Sequence, residues 1–472
     1  MVASLDLKPI DDRPVALMGY GRSGAASAAA LARAGVPLQV WDDDPARRDV
    51  ALGAGLAVTD LGQADLERFG YLLLSPGIPA HGPHAHAVPA RAAKAGLEIV
   101  CDIELLFRAR PDAIYVGVTG TNGKSTTTAL IGHILAETGR AFAIGGNIGT
   151  PALDLPALGS NAVYVLELSS FQLELMPTAT FHVAVLLNLS PDHLDHHGDM
   201  DAYAGAKARI FVGQDAHDTA IVGIDTEGSR AIYCDLARGG RQSVLPISGC
   251  GSSQAAGGVY VEDGWLIDAR AGLDKRIAEL AGLSNLPGPH NGENAAAAYA
   301  VATALDLSLE RVAECFASFP GLAHRLERVD LIGGVLFVND SKATNADAAL
   351  RALACYDDIY WIAGGRAKDG DSGLARLADF GPRIRHAYLI GEARGRLQQS
   401  LGAGVPTSMC DSLDEAVTRA ASDADGRAGA VVLLSPACAS FDQFADFEAR
   451  GEAFRQAVAR LPGAQGATGG RA

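Results

Sequence analysis

The stretch AIYVGVTGTNGKSTTT, residues 113–128, joins an apolar run to a glycine-rich turn and a helix-like continuation. Gly120 and Gly123 let backbone N–H groups approach a phosphate closely, and the following helix presents its positive end to the same anion. Lys124 is placed to reach the β- and γ-phosphates, and Ser125 to hold Mg²⁺. A strict loop of this type has another glycine two residues before Gly120. The stretch therefore predicts a variant phosphate-binding loop; an ordinary strand-to-helix turn is the alternative.

A second glycine-rich turn lies near the start of the chain, in VALMGYGRSG at residues 15–24. Gly19, Gly21 and Gly24 have the spacing of a dinucleotide-binding fingerprint, and Asp42 ends the next apolar run. These residues predict a phosphate-binding turn, and alone they leave an NAD-dependent oxidoreductase open. That alternative gives no role to the later loop.

Apolar runs alternate with alanine-rich helical stretches along the whole chain, which is the pattern of βαβ units and parallel sheets. The alternation restarts twice, so we predict an α/β protein of three consecutive domains, at residues 1–111, 112–322 and 323–472. We expect Rossmann-like first and third domains around a central P-loop domain with a mostly parallel sheet. In the central domain Asp263 and Gly264 predict the turn of a hairpin.

Composition excludes some classes of function. A formal charge of −16 argues against a nucleic-acid-binding surface, which is normally basic. Seven scattered cysteines without a C-x-x-C pair favour a reduced cytoplasmic protein with no disulfide framework and no zinc site. We find no apolar run long enough to cross a bilayer and no secretory signal.

Polar residues follow several strands of the central segment. Glu167 lies in the apolar run LELSSFQLE, where a carboxylate needs a partner or a metal, so it is a candidate Mg²⁺ ligand. Lys207 lies on a helix of small and apolar residues, and from the residues alone a lysine that reaches solvent is favoured. One loop contains Asp192, His193, Asp195, His196 and His197. A metal site and a surface histidine-rich loop are both compatible with that loop.

Three polar loops follow successive strands of the third segment, in NDSKATN, AGGRAKDGD and LSPACASFDQFADFEARG. Ligands gather at the carboxyl ends of strands in open α/β sheets, so the loops predict one pocket for a small acidic ligand. The candidate residues are Asp340, Lys342, Thr344, Asn345, Gly364, Gly365, Arg366, Lys368, Ser435, Ser440 and Phe447.

Eight motifs together closely resemble the Mur ligases: TGTNGKST, GGNIG, ELSSFQLE, NLSPDHLDHH, HNGENAAAA, HRLE, NDSKATN and LSPACASFDQF. The resemblance extends from Pro14 to Arg455, and NDSKATN with SPACASFDQF favours the members that add D-glutamate. It implies an ATP-dependent ligase of peptidoglycan precursor synthesis acting on UDP-N-acetylmuramoyl-L-alanine (UDP-MurNAc-L-alanine) and D-glutamate. It also implies two Mg²⁺ sites, a cytoplasmic monomer, and no nucleic-acid or membrane partner.

Residue roles are carried over from the same motifs. The resemblance implies that ATP is bound by Gly120, Thr121, Asn122, Gly123, Lys124, Ser125, Thr126, Asn291, Arg325 and Asp340. It assigns the UDP-sugar to Arg22, Ser23, Asp42, Gly77 and Asn147, and D-glutamate to Thr344, Lys368, Ser440 and Phe447. The implied catalytic residues are Lys124, Glu167, His193 and Lys207, and the implied metal site comprises Ser125, Glu167, His193 and Lys207 as a carbamate, which replaces the reading of Lys207 as a surface lysine. Asp43 and Asp44 stand where relatives can carry a basic residue, so their role at the UDP site stays open.

Two further alternatives remain. A folate-polyglutamylating ligase shares the ATPase architecture but needs no UDP-binding domain. A non-catalytic nucleotide switch needs no polar pocket in the third domain.

Overall fold

The computed structural model describes Leu7 and residues 13–464, except 83, 148, 252–256, 273, 284, 289 and 368–371. The chain forms two compact units, one of Met1–Ala281 with Gly292–Ser318 and the other of Gly282–Asn291 with Phe319–Ala472. The first unit contains two sheets and the second contains one, so the predicted α/β class with three mostly parallel sheets is confirmed. The boundaries at 111 and 322 stay predictions.

The first sheet has a Rossmann-like arrangement. Its elements are β1 (Val15–Met18), α1 (Arg22–Arg33), β2 (Leu38–Trp41), α2 (Pro45–Gly53), β3 (Ala57–Val58), β4 (Tyr71–Leu74), α3 (Ala87–Lys94), β5 (Glu98–Val100) and α4 (Asp102–Ala109). The strand order is β3-β2-β1-β4-β5, and all pairs are parallel. The chain leaves β1 toward β2 and later returns on the other side as β4. The loops after β1 and β4 therefore flank the switch point where ligands bind in such sheets.

The second sheet has nine strands. Its elements are β6 (Ile114–Thr119), α5 (Lys124–Glu137), β7 (Phe142–Gly146), β8 (Val163–Glu167), α6 (Ser170–Glu174), β9 (Val183–Leu186), α7 (Leu194–His197), α8 (Met200–Ala208), β10 (Thr219–Gly223), α9 (Glu227–Gly239), β11 (Ser243–Ser248), β12 (Val259–Glu262), β13 (Trp265–Asp268) and β14 (Lys275–Glu279), followed by α10 (His290–Ala304) and α11 (Leu309–Ser318). The order is β14-β13-β12-β11-β10-β9-β6-β8-β7, and β13 alone runs against the other strands, because the β12–β13 and β13–β14 pairs are antiparallel. The hairpin predicted at Asp263 and Gly264 joins β12 to β13, and both turn residues have positive φ.

The third sheet has six strands in the second unit. Its elements are β15 (Glu327–Ile332), β16 (Val335–Asn339), α12 (Ala346–Leu353), β17 (Ile359–Gly364), β18 (Ile384–Ile390), α13 (Arg394–Leu401), β19 (Thr407–Met409), α14 (Leu413–Ala424), β20 (Val431–Leu434) and α15 (Phe447–Ala459). The order is β15-β16-β20-β17-β18-β19, and only the β15–β16 pair is antiparallel. Separate apolar clusters cover the two faces.

The first two sheets share one continuous apolar core. Phe107 of α4 stacks on Tyr115 of β6 at 3.8 Å between ring centroids, and Tyr115 stacks on Tyr164 of β8. Buried Glu104 of α4 accepts hydrogen bonds from the backbone N–H groups of Thr178 and Ala179. This packing joins the first and second sheets into one unit. Among the described helices, none combines the length and the apolar character needed to cross a membrane.

Candidate active site

The loop between β6 and α5 has the strand–loop–helix context that its sequence predicted. Gly123 caps α5 in the left-handed region, with φ of 88°, which glycine adopts readily. A Cβ atom there would lie 2.3 Å from Asn294 Oδ1. Lys124 donates from Nζ to the carbonyl oxygens of Gly120 and Thr121, each at 2.9 Å. Ser125 is buried in the first turn of α5 and Thr126 is half-buried beside it.

Three residues that the sequence analysis did not select support this loop. Asn188, after β9, accepts from the backbone N–H of Asn122 at 3.0 Å and donates back to its carbonyl. The same side chain donates to Glu293 Oε2 at 2.6 Å, and Asn294 accepts from Thr127 Oγ1 at 3.1 Å. Asn188 stands in NLSPDHLDHH, and Glu293 and Asn294 in HNGEN, so the motifs contained the signal although single residues did not reveal it.

Glu167, at the end of β8, is 1% exposed. Its Oε1 accepts from Asn147 Nδ2 at 2.9 Å, while Oε2 is buried without a hydrogen-bond partner among the described residues. A buried carboxylate oxygen in that state is costly unless a cation reaches it. Glu167 therefore fits a metal ligand.

Lys207 of α8 is buried rather than facing solvent, with 2% exposure. Its Nζ donates to Thr119 Oγ1 at 3.4 Å and lies 4.9 Å from the ring centroid of Tyr203. Burial, together with the positive charge of Lys124, lowers the pKa of Lys207 well below its ordinary value, although Asp192 and Glu167 oppose the shift. The charges of Lys124 and Glu167 thus both act on Lys207, near the carboxyl ends of β6 and β8.

The histidine-rich loop divides into two parts. His193, in the left-handed region before α7, has a side chain that is 43% exposed and approaches Asp192 with Nε2 at 3.6 Å from Oδ2. His196 and His197 instead contact Glu174 at the end of α6. Burial lowers the pKa of His197 despite the nearby Glu174 carboxylate.

The turn after β1 has the geometry of a phosphate-binding turn. A Cβ atom at Gly24 would lie 1.9 Å from the Gly19 carbonyl oxygen, so α1 can approach β1 only with glycine there. Ser75, after β4, donates from Oγ to the same carbonyl at 2.9 Å. Arg22 is exposed and Ser23 half-buried in the first turn of α1. Exposed Gly77 lies on the loop that contains Ser75, across the switch point.

Asp42 ties this turn to the start of α2. Its carboxylate accepts from the backbone N–H of Tyr20 at 2.6 Å and of Asp44 at 2.9 Å. Burial opposes ionisation, but these bonds and the nearby Arg47 outweigh it and lower the pKa of Asp42. Arg47 Nη1 lies 3.5 Å from Asp42 Oδ2, and it is the nearest side-chain atom to a Cβ built at Gly21. Arg47 is a basic candidate that the sequence analysis missed. Asp43 contacts His86, and Asp44 caps α2.

The three polar loops of the second unit converge as predicted, because β16, β20 and β17 are neighbours. Asp340 accepts from Ser435 Oγ at 2.8 Å and from the backbone N–H of Leu326 at 3.2 Å. Burial raises the pKa of Asp340 to about 7, while these bonds and the charges of Arg325 and Arg450 oppose the rise. Asn291 is buried and donates to the Pro287 carbonyl. Asn291, Arg325 and Asp340 belong to the second unit.

The residues expected around D-glutamate are placed in part. Phe447 begins α15, and Lys342 Nζ lies 4.0 Å from its ring centroid. Ser440 is buried and Thr344 is half-buried. Arg366 pairs with Glu392 at 3.0 Å. Lys368 lies outside the described residues.

Arg450 is a structural residue that sequence reasoning missed. It is 1% exposed and donates to the carbonyl oxygens of Ser341, Gly364 and Cys438, one on each polar loop. Burial lowers its pKa to about 10. On α15 it had only the appearance of an ordinary helical arginine.

Comparisons with known proteins identify the family of the chain. Residues 118–302 match the model of the Mur ligase middle domain. UDP-N-acetylmuramoylalanine–D-glutamate ligase of Phenylobacterium zucineum is 48% identical over 462 residues, which covers 96% of this chain and 98% of that protein. Its counterpart in Caulobacter vibrioides is 47% identical, covering 96% and 97%.

Solved structures show the same fold at lower identity. MurC, a UDP-N-acetylmuramate–alanine ligase from Thermotoga maritima, matches with a TM-score of 0.57 at 15% identity over 94% of this chain and 98% of that one. MurF ligase from the same organism, in complex with ADP, gives 0.55 at 17% identity over 85% and 99%. On its near full-length identity to curated relatives, the chain belongs to the UDP-N-acetylmuramoylalanine–D-glutamate ligases of the Mur ligase family.

Proposed function

We propose that this chain uses ATP to join D-glutamate to UDP-MurNAc-L-alanine in the synthesis of peptidoglycan precursors. The observation that carries the proposal is the meeting of a phosphate-binding loop, the buried carboxylate of Glu167 and the buried Lys207 at one sheet edge. The relatives, 47–48% identical, bear the name of that ligase. We further propose a cytoplasmic monomer.

The reaction needs activation because a carboxylate oxygen is a poor leaving group. Transfer of the γ-phosphoryl of ATP to the L-alanyl carboxylate gives an acyl phosphate and ADP. The neutral amine of D-glutamate then attacks the acyl carbon. The tetrahedral intermediate expels phosphate, the nitrogen loses a proton, and the amide remains. Negative charge moves onto oxygens of the transferring phosphoryl group, so catalysis rests on positioned positive charge.

The loop residues supply part of that charge. Two carbonyl oxygens hold Lys124 Nζ over its own turn. We expect phosphate to bind at this turn, so the ammonium would lie beside it. The N–H groups of Thr121 and Asn122 donate to Asn188, so we expect the N-terminus of α5 to supply the backbone N–H groups for phosphate.

Mg²⁺ would neutralise phosphate charge and orient phosphate oxygens when it is bound. The residues present fit it, because Glu167 Oε2 is buried without a partner among the described residues and Ser125 is the second residue of α5, directly after Lys124. We propose Ser125, Glu167 and His193 as its ligands, with a carbamate on Lys207 as a further anion. Asn147 orients Glu167 through its 2.9 Å hydrogen bond.

The surroundings of Lys207 support the proposed carbamate. A neutral amine adds to CO₂ and releases one proton, giving a carbamate anion. Burial lowers the pKa of Lys207, which favours the neutral amine that this addition requires. Conversion to an anion also removes the repulsion from Lys124 and gives Lys207 a charge that can balance a cation.

The other two substrates are assigned to separate turns. The turn at Gly19–Gly24 and Arg22, Ser23, Asp42 and Gly77 would bind the UDP-sugar, with Arg47 as an added basic contact. Thr344, Lys368, Ser440 and Phe447 would bind D-glutamate, in a region whose loops Arg450 holds together.

The test is phosphate release with purified protein, Mg²⁺ and ATP, omitting UDP-MurNAc-L-alanine or the amino acid in turn. We expect release only when UDP-MurNAc-L-alanine and D-glutamate are both present. L-glutamate, L-alanine and a diamino acid serve as matched amino acids. Release with a folate and L-glutamate would favour the folate ligase, and ATP binding without turnover under any condition would favour a nucleotide switch.

A further inference from the structure

Glu174, His196 and His197 form a compact cluster of ligand atoms in the first unit. His196 Nε2 lies 3.0 Å from Glu174 Oε2, and His197 Nδ1 lies 3.4 Å from Glu174 Oε1. One ligand atom from each residue lies within 4.8 Å of the other two. The proposed ligase reaction gives these three side chains no role.

The cluster is held in place by its surroundings. Phe171 packs on His196 with 4.2 Å between their ring centroids, and the ring centroids of Tyr203 and His197 are 5.2 Å apart. The side chains of His196 and His197 are 5% and 1% exposed, and that of Glu174 is 18% exposed. Ligands whose rings are held by packing lose little conformational entropy when they bind an ion.

The hydrogen bonds around the cluster suit metal ligation. Ser170 Oγ lies 2.9 Å from His197 Nε2, the nitrogen opposite to the one that faces Glu174. A metal-binding histidine usually donates its other ring N–H to such an oxygen, which fixes its tautomer. Nδ1 of His196 is buried and has no hydrogen-bond partner among the described residues. Among the described residues, protein contacts therefore satisfy only one of the two nitrogens of this ring.

We propose that Glu174, His196 and His197 bind a borderline transition-metal dication, of which Zn²⁺ is the type. Two imidazoles and one carboxylate form a common three-residue zinc set, and water completes a tetrahedron. Mg²⁺ prefers oxygen ligands in an octahedron, so the two nitrogens select against it. Scattered cysteines had led us to expect no zinc site, and this one contains no cysteine.

The ion would join α6 to α7. The former follows the strand that ends at Glu167, and the latter follows His193. An ion there would restrain two loops that carry proposed catalytic residues without touching the reacting atoms. An ion that binds the folded state and not the unfolded chain raises the melting temperature.

The first experiment uses Co²⁺ as a spectroscopic substitute for Zn²⁺, in saturating Mg²⁺ so that oxygen-rich sites are occupied. We expect one equivalent of Co²⁺ to give the strong visible absorption of tetrahedral coordination, Zn²⁺ to displace it, and Zn²⁺ to raise the melting temperature. Glu174→Gln and His196→Gln should bind either ion at least about tenfold more weakly.

The controls separate this site from the proposed magnesium site. His217→Gln, at an exposed histidine, should bind Co²⁺ like the wild type, and so should His193→Gln. Loss of the absorption in His193→Gln but not in His196→Gln would overturn the proposal, as would the absence of stoichiometric binding. Neither result would bear on the ligase reaction, because the readout is not turnover.

A second measurement needs no variant, in case the substitutions prevent folding. Anomalous scattering from Zn²⁺-loaded wild-type crystals should place an ion between Glu174, His196 and His197. Zinc found only elsewhere would overturn the proposal.

Discussion

Lys124 begins the helix that follows the glycine-rich loop, as the sequence predicted. Its Nζ lies over the turn, bonded to two loop carbonyls. We expect Lys124→Ala to lower turnover by about two orders of magnitude or more, the effect of losing an electrostatic partner of a transition state. Phosphate release measures it, and circular dichroism checks the fold. Lys94→Ala, on the exposed end of α3, is the matched control. Near-normal turnover in a folded variant would contradict the phosphate-binding role.

Lys207 differs from Lys124 because we propose that it reacts with CO₂ and loses its positive charge. As a carbamate it would be an anion, so Lys207→Ala should be nearly inactive. Short carboxylic acids added to this variant should restore part of the rate by occupying the vacated volume with a carboxylate. Rate measurements with and without added acetate test this. A crystal structure of the wild type at full occupancy with an unmodified ammonium on Lys207 would count against the carbamate.

Asp340 predicts a pH dependence. Burial raises its pKa to about 7, against about 3.9 for an unfolded aspartate. Between these values the folded state binds more protons, so this group makes stability fall as pH rises, by about 1.4 kcal/mol per unit of pKa difference. Asp340→Asn should flatten that slope. Buried Trp361 donates to the Ser435 carbonyl at 2.8 Å, so denaturation followed by its fluorescence, with Trp41 and Trp265 replaced by Phe, reports on this region. An unchanged slope between pH 4 and 7 would contradict the assignment.

Single residues also show where sequence reasoning stops. Glu167 was found because a carboxylate in an apolar run is rare. Lys207 alone read as a surface lysine, since lysines usually reach solvent, and only the resemblance corrected that. Arg450 and Asn188 were missed because their roles consist of contacts with loops far away in sequence. Long-range contacts of this kind leave no local pattern.

At the scale of elements, Gly21 and Gly24, two of the three glycines of the first turn, have different tasks. A Cβ at Gly24 would clash with a backbone carbonyl at 1.9 Å, whereas at Gly21 the nearest atom is the end of the Arg47 side chain at 3.8 Å. Gly24→Ala should therefore lower the free energy of unfolding by about 1–3 kcal/mol, and Gly21→Ala much less. Urea denaturation of both variants measures the difference. Equal losses would show that the helix does not depend on this close approach.

Element patterns were largely predictable from sequence. The alternation of apolar runs and helices indicated parallel sheets, and Asp263–Gly264 indicated the hairpin that is found. The short helices α6 and α7 were not expected, because four or five residues carry too little periodicity. Strand order and the joining of two sheets into one unit depend on packing such as that of Phe107 on Tyr115, which pattern alone does not reveal.

On the scale of the whole molecule, the chain has two glycine-rich turns that we propose to bind phosphate, and the question is which ligand each takes. In an NAD enzyme the first turn would bind the dinucleotide, Asp42 would accept the ribose 2′-hydroxyl, and a catalytic acid or base would lie beside it. Here Asp42 is bonded to the N–H groups of Tyr20 and Asp44, and the buried catalytic candidates lie around the second turn. We therefore propose that the first turn serves for binding only, with the UDP-sugar as its ligand.

We therefore expect UDP-MurNAc-L-alanine to raise the melting temperature of the protein, and NAD⁺ and NADP⁺ to leave it unchanged, because a ligand stabilises a fold only in proportion to its binding. Asp42→Ala releases the tie between the first turn and α2, so it should raise the KM for the sugar nucleotide and leave that for ATP nearly unchanged. In Lys124→Ala we expect UDP-MurNAc-L-alanine to raise the melting temperature as in the wild type, and ATP to raise it less. Micromolar, saturable binding of NAD⁺ that the sugar nucleotide displaces would overturn this division of the two turns.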